Sequence, residues 1–343
     1  MLMEKMMLKE RKLALIKLGE YLQRDDDYLN AIIRRSSLNN AWFTENAQRQ
    51  AIDAIATQML EKQKLEKWLA DYEIPDAPNQ KILGLVMAGN LPLVGFHDLL
   101  CVFISGHKAM IKLSDKDPYL LPAILKALGE IDERTASYFD IVERLKGFEA
   151  VIATGSNNTA RYFEAYFGKY PNIIRKNRNG IAVFDGKETA AELLAFGRDY
   201  LDYFGLGCRN VSKIYVPKNF DFDPLLEALH EYRTVVRHTK YKNNFDYQYA
   251  LYILNKVELK ANGCVLMTEN KAIQSPIACL HYEYYEDVDQ LSTELQLRLE
   301  EIQLIVSRLD FKGLPVFPFG EAQKPALSDY ADGVDTIKFL LSI

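Results

Sequence analysis

Apolar residues recur at three- and four-residue spacing along the first part of the chain, as at Leu15, Leu18 and Leu22 and again at Ile52, Ile55 and Met59. That period predicts helices over residues 1–73. The Met-rich start fits a stripe packed on the rest of the protein better than a helix lying on a membrane surface. Ile74–Asn79, with two prolines, predicts a turn or short linker. At Lys81 the pattern changes. Short apolar runs of buried-strand type, Ile82–Met87, Ala109–Leu113 and Ala150–Ala153, alternate with helical stretches at Leu91–Ser105, Pro118–Glu130 and Asn157–Phe167. This order predicts a parallel sheet with helices on both faces. A second unit starts at Gly180: strand Ile181–Phe184, helix Glu188–Phe204, strand Lys213–Val216 and helix Asp223–Val235. His238–Tyr249 is polar and aromatic without a clear period, and reads as irregular. Val288–Leu299 reads as helix, and Leu314–Gly320 as a loop or edge segment because its prolines deny ladder hydrogen bonds. The apolar run Thr336–Ile343 is suited to joining a sheet or meeting a second subunit.

With 343 residues, 48% of them hydrophobic, the chain can bury the cores of two domains. A net charge of −5 disfavours a nucleic-acid surface. No apolar run reaches the ~18 residues that cross a bilayer, and charges from Glu4 to Lys12 interrupt the N-terminus, so neither membrane insertion nor a signal peptide is expected. Four cysteines (Cys101, Cys208, Cys264, Cys279) show neither metal-ligand spacing nor disulfide density, which fits a reducing cytoplasm and no metal site.

Cys208 stands apart from the other three. It follows Tyr203-Phe-Gly205-Leu-Gly207, between a helical run and a strand, where glycines leave a thiol uncrowded. Arg209 and Lys213 add positive charge. Peptide N–H groups and basic neighbours lower a thiol's pKa, so Cys208 is a candidate nucleophile carrying an acyl group as a thioester. Cys101, Cys279 and Cys264 read as inert, and His97, His107, His230 and His281 as packing or surface residues.

The helix–Gly-x-Gly-Cys–strand unit resembles the catalytic cysteine loop of the aldehyde dehydrogenase superfamily. Four further stretches are similar to the LuxC-type acyl-CoA reductases: Ala88-Gly-Asn90-Leu-Pro-Leu-Val-Gly-Phe-His97-Asp98, Gly106 to Ser114, Ala153-Thr-Gly155-Ser156 to Arg161, and Arg175-Lys-Asn177-Arg-Asn179-Gly180. The resemblance spans about residues 80–340. It implies an α/β fold: a helical N-terminal segment and parallel-sheet cofactor domain over 1–178, a catalytic α/β domain over 179–312, and a segment 313–343 returning to the active site or an oligomer interface. By the same resemblance Asn90 is the side-chain oxyanion donor, worth ~3 kcal/mol of transition-state stabilisation. Lys112 and its neighbours Ser114 and Asp115 face the cofactor's adenosine ribose, Thr154-Gly155-Ser156 lies beneath the cofactor at a helix N-terminus, and Phe319 belongs to the late Pro-Phe-Gly segment. Asp115 favours NAD, because a carboxylate accepts from ribose hydroxyls and repels a 2′-phosphate. Ser114 and Lys116 point the other way, and the resemblance favours NADPH over NADH.

Aldehyde dehydrogenases that make acids keep a Glu some thirty residues before the cysteine to activate water. The corresponding stretch here, Ile174–Gly180, holds no carboxylate. The implied reaction is therefore reduction of fatty acyl-CoA to aldehyde: CoA thiolate leaves as acyl-Cys208 forms, hydride arrives, and the hemithioacetal collapses to aldehyde and the free thiol. Arg175, Lys176 and Arg178 either hold CoA phosphates or form a solvated turn. Rival readings are reduction of an acyl phosphate, an ordinary aldehyde dehydrogenase, and a non-catalytic nucleotide-binding subunit. A homo-oligomer or reductase complex is expected.

Overall fold

The computed structural model describes residues 5–343, and the chain divides into two compact units. Unit 1 comprises the chain up to Lys176 together with Pro325–Ile343; unit 2 is Asn177–Lys324. The segment 313–343 is thus shared, its last nineteen residues belonging to unit 1.

Unit 1 begins with α1 (Leu8–Leu22), α2 (Asp27–Asn39), α3 (Glu45–Ala54) and α4 (Lys62–Leu69). Asp26 and Thr44 cap α2 and α3 by accepting from the N–H groups of Leu29 and Ala47. The predicted apolar stripe is inward: Leu15, Leu18, Leu22, Ile52 and Ile55 are buried, and so is Met6. The first methionines of the Met-rich start lie outside the described residues. The sheet follows as β1 (Ile82–Val86), α5 (Phe96–Ile104), β2 (Lys108–Lys112), α6 (Leu120–Ile131), β3 (Phe139–Ile141), β4 (Ala150–Thr154), α7 (Asn157–Phe167) and β5 (Asn172–Arg175). All its pairings are parallel, in the order β3-β2-β1-β4-β5.

Unit 2 runs β6 (Asn179–Val183), α8 (Ala190–Leu201), β7 (Val211–Pro217), α9 (Asp223–His230), α10 (Thr239–Leu254), β8 (Lys260–Ala261), β9 (Leu266–Glu269), β10 (Cys279–Tyr285), α11 (Val288–Gln296), β11 (Ile302–Ser307) and β12 (Val316–Phe317). Its sheet has the order β12-β11-β6-β7-β10-β9-β8, parallel apart from the short β8–β9 pair. The chain then returns to unit 1 with α12 (Thr336–Leu341).

Three expectations fail for identifiable reasons. The helix expected from Leu91 starts only at Phe96, because Leu93 takes a left-handed φ of +57° after Pro92 and a helix cannot pass through it. His238–Tyr249 is not irregular; most of it lies in α10, whose inward side consists of little more than Tyr241 and Phe245, too few residues to show a period. The terminal apolar run does not join a sheet: Ile337 and Leu340 of α12 are fully buried in the core of unit 1. The expected edge segment is correct, since β12 pairs only with β11.

Candidate active site

In unit 1 the candidate residues follow the carboxyl ends of β1, β2 and β4. The β1–β2 pairing continues one residue beyond the strand, with Met87 N–H donating to the Lys112 carbonyl at 3.0 Å. Gly89 is buried against the next loop; a Cβ there would lie 2.2 Å from Ser114 Oγ, so the approach demands glycine. Asn90 comes next and is exposed. The turn behind it is held by Asp117, whose buried carboxylate accepts the Leu93 N–H at 2.9 Å. Burial pushes Asp117 up to about 6, against the lowering effect of that N–H.

Lys112, the last residue of β2, is exposed and makes no ion pair among the described residues. Ser114 Oγ is half-buried and accepts from Lys116 N–H at 3.3 Å. Asn39 and Asn40 donate to the Asp115 and Lys116 carbonyls, fastening this loop by its backbone and leaving the Asp115 side chain exposed. Thr154 ends β4, and Ser156 caps α7 by accepting from Thr159 N–H at 3.2 Å. Gly155 N–H bonds the Arg175 carbonyl at 3.3 Å, and a Cβ on Gly155 would come 2.9 Å from the Phe163 ring.

The Arg175 side chain is buried, which removes it from any role on CoA phosphates. It pairs with Asp98 in the first turn of α5 and donates to Thr336 Oγ1 of α12 at 3.2 Å. Burial opposes its charge, but the Asp98 carboxylate more than offsets this and raises the Arg175 pKa. Lys176 pairs with Glu164 at 3.0 Å, and Arg178 donates to the Leu299 carbonyl at 3.0 Å. His97 is half-buried and bonds the Leu327 carbonyl at 2.9 Å, in agreement with a packing role.

In unit 2, α8 ends at Leu201 and the chain turns sharply. Tyr203 and Phe204 are left-handed without being glycine, at φ 54° and 61°, and Gly205 and Gly207 follow at 75° and 112°. Asn210, buried, closes the loop by donating to the Asp202 carbonyl at 2.6 Å. Cys208 sits on this loop half-exposed, whereas Cys101, Cys264 and Cys279 are buried. Burial pushes the thiols of Cys264 and Cys279 up to about 11 and raises Cys101 well above its ordinary value. The expected thiolate-stabilising charge of Lys213 is spent elsewhere. Its ammonium is fully buried, held by the Glu283 carboxylate at 2.5 Å and the Lys271 carbonyl at 2.9 Å. Arg209 donates to the Ala322 carbonyl and lies over the Phe317 ring.

Two further contacts hold the cysteine loop and the Gly320–Ala322 segment that Arg209 touches. Gly180, opening β6, donates to the Asn210 carbonyl at 3.0 Å, and a Cβ on it would lie 2.9 Å from the Arg209 and Asn210 carbonyl oxygens. Asp199 of α8, fully buried, accepts from Gly320 N–H at 2.6 Å and Ala322 N–H at 2.9 Å. Burial pushes its carboxyl up to about 7. Phe319 is packed between Phe184 and Phe196 and contributes a core ring, not a free face for a cofactor. Among the described residues no cluster of His, Cys, Asp or Glu could hold a metal, and no helix is long and apolar enough to cross a membrane.

No family model matches the chain. It is 22% identical over 248 residues to long-chain acyl-protein thioester reductase 2 of Photobacterium leiognathi, an alignment covering 65% of this chain and 51% of the relative. The chain thus spans about half the length of that curated protein. Among solved structures it is similar to aldehyde dehydrogenase 21 of Physcomitrella patens, determined with the reaction product succinate (TM-score 0.69, 14% identity, 99% of this chain and 85% of that one). It is also similar to the aldehyde dehydrogenase KauB of Pseudomonas aeruginosa (0.64, 13%, 90% and 77%) and to an indole-3-acetaldehyde dehydrogenase solved with NAD+ (0.64, 14%, 90% and 77%). The fold of this chain is that of the aldehyde dehydrogenases, and the curated protein it is similar to is named as a thioester reductase.

Proposed function

We infer that the chain is an NAD(P)H-dependent reductase of fatty acyl thioesters, acyl-CoA above all, that releases the aldehyde. The observation that carries this reading is the make-up of the segment beside the cysteine loop. Ile174–Gly180 has no carboxylate, and its last residue lies directly against the backbone that follows Cys208. A general base must sit within hydrogen-bond reach of the water it activates. Asn179 and Gly180 cannot serve, so an acyl group on Cys208 is not set up for hydrolysis. The curated relative is named for protein-bound acyl thioesters, which supports the thioester class and leaves CoA and a protein carrier as competing donors.

Cys208 attacks the thioester carbonyl, the donor's thiolate leaves, and the acyl group stays on Cys208, whose own backbone N–H is one oxyanion donor; the family resemblance assigns the second donor to the Asn90 amide. A nicotinamide cofactor, when bound, supplies the hydride. The residues of unit 1 fit such a group. Lys112 is a free ammonium beside the end of β1, Ser156 opens a helix N-terminus suited to a pyrophosphate, and the Asp115 carboxylate is exposed to meet ribose hydroxyls. The family resemblance favours NADPH, whereas Asp115 favours NADH. Incubation with acyl-CoA in the absence of cofactor should add one acyl mass to the wild type and none to Cys208→Ala. An adduct that survives in Cys208→Ala, or a wild type that never acylates from any thioester, overturns the proposal.

A further inference from the structure

Helix α10 changes character halfway along its length. Its inward side is anchored by Tyr241, which donates to the Cys264 carbonyl at 2.8 Å, and by Phe245. Up to Asp246 the outward side is polar, with an exposed Lys242–Asp246 pair. From Tyr247 onward the outward side is Tyr247, Tyr249, Ala250, Leu251, Ile253 and Leu254, all exposed; Tyr247 is 65% and Leu254 80% accessible. At about 100° per residue these six sweep roughly 200° of the helix circumference. No charged residue falls between Asp246 and Lys256. A helix apolar around so much of its girth is ordinarily a buried one.

The segment also has a well-defined end. Lys256 adopts a left-handed φ of 54° and Val257 N–H bonds the Tyr252 carbonyl at 2.9 Å, which closes the helix with the cap usually reserved for glycine. A preformed surface loses little freedom when it docks.

We propose that this face of α10 is where a second copy of the chain docks, the two helices crossing about a two-fold axis near Ala250. Scaled by their exposure, these side chains offer roughly 600 Å² of apolar surface per copy, most of the ~800 Å² that each partner buries in a stable interface. An isologous pairing sets the patch against itself, so its uncharged centre meets an uncharged centre and no ion is desolvated. Ala250 is the small residue at the middle that lets two helix axes approach to about 8–10 Å, and the tyrosine hydroxyls can stay wet at the rim. A lipid surface is the weaker match, because the rim carries Lys242, Asp246, Lys256 and Glu258 and so offers anionic headgroups no net positive field.

Light scattering on the full chain, with Leu254→Glu and with Ala250→Cys in a Cys208→Ala background, tests this. The wild type should have the mass of two chains at micromolar concentration. Leu254→Glu should have the mass of one chain with unchanged circular dichroism and thermal midpoint, and Ala250→Cys should form a cross-linked dimer under mild oxidation. A one-chain mass for the wild type at every concentration, a two-chain mass for Leu254→Glu, or a dimer that Ala250→Cys fails to cross-link overturns the proposal. So does a single-chain wild type that co-sediments with phosphatidylcholine–phosphatidylglycerol vesicles, which would assign the face to lipid.

Discussion

In unit 1 the candidate residues Asn90, Lys112 and Ser156 come after the last residues of β1, β2 and β4, whereas in unit 2 Cys208 comes before the first residue of β7. Unit 1 follows the usual rule for open parallel sheets, in which ligands bind beyond the carboxyl ends of the strands. Unit 2 reverses it. At the carboxyl ends of β6 and β7 lies a cleft of about 550 Å³ lined by Asp185, Glu188, Lys218 and Asp221, with no candidate nucleophile in it. The proposed nucleophile and the proposed cofactor contacts at Lys112 and Ser156 thus fall in separate units and at opposite strand ends, so each can be perturbed alone.

The largest effect should come from Cys208→Ala. It should abolish acylation and turnover while nicotinamide binding, followed by fluorescence titration, stays unchanged; a loss of cofactor affinity would break the separation. The Arg175–Asp98 pair tests unit 1. Arg175→Met leaves the buried Asp98 carboxylate in the first turn of α5 unpaired and should cost about 3–5 kcal/mol in urea unfolding, while thiol alkylation of Cys208 in the native protein should proceed as in the wild type.

Asp199 tests unit 2. Its carboxyl is held near 7 in the folded protein against 3.8 ordinarily, so the folded state binds that proton more tightly. Its contribution is complete below pH 4 and is lost as pH rises to about 7. The stability of the wild type relative to Asp199→Asn should therefore shrink over that window, by at most about 4 kcal/mol for a shift of this size. A pH-independent difference would show that Asp199 is ionised throughout. The smallest effect is expected at Asp115, where Asp115→Ser should raise the preference for NADPH over NADH about tenfold, the value of one hydrogen bond to a charged group, as read from kcat/KM with each cofactor.

Much of this contrast was legible in the sequence, because a two-residue or 3.6-residue apolar period is a direct print of burial. The alternation of β1 through α7 is readable because the central strands and α5 are short, almost wholly apolar runs bounded by polar turns, and Cys208 stands out through its glycines. What was not legible depends on distant partners. Nothing local marks Leu93 as left-handed; Asp117, twenty-four residues on, takes its N–H. Asp199 reads as an ordinary helix residue until Gly320 and Ala322 come to it, and Arg175 reads as a surface cation until Asp98 is placed under it. Lys213 misled in the opposite direction: its position five residues after Cys208 suggested service to the thiol, while its register on β7 opposite β10 delivers it to Glu283. Helix α10 is hidden from the sequence because only Tyr241 and Phe245 face inward, and the aromatic and apolar residues from Tyr247 on lie on its exposed side, so no period separates the two sides.

The return of α12 to unit 1 has a consequence for how the molecule is made. During synthesis the whole of unit 2 leaves the ribosome before Ile337 and Leu340 do, yet those two side chains belong to the core of unit 1. The first-translated half must therefore wait, with an apolar socket open against α5, until the later half has emerged. In that interval the nascent chain is at its most vulnerable to chaperone capture and to aggregation.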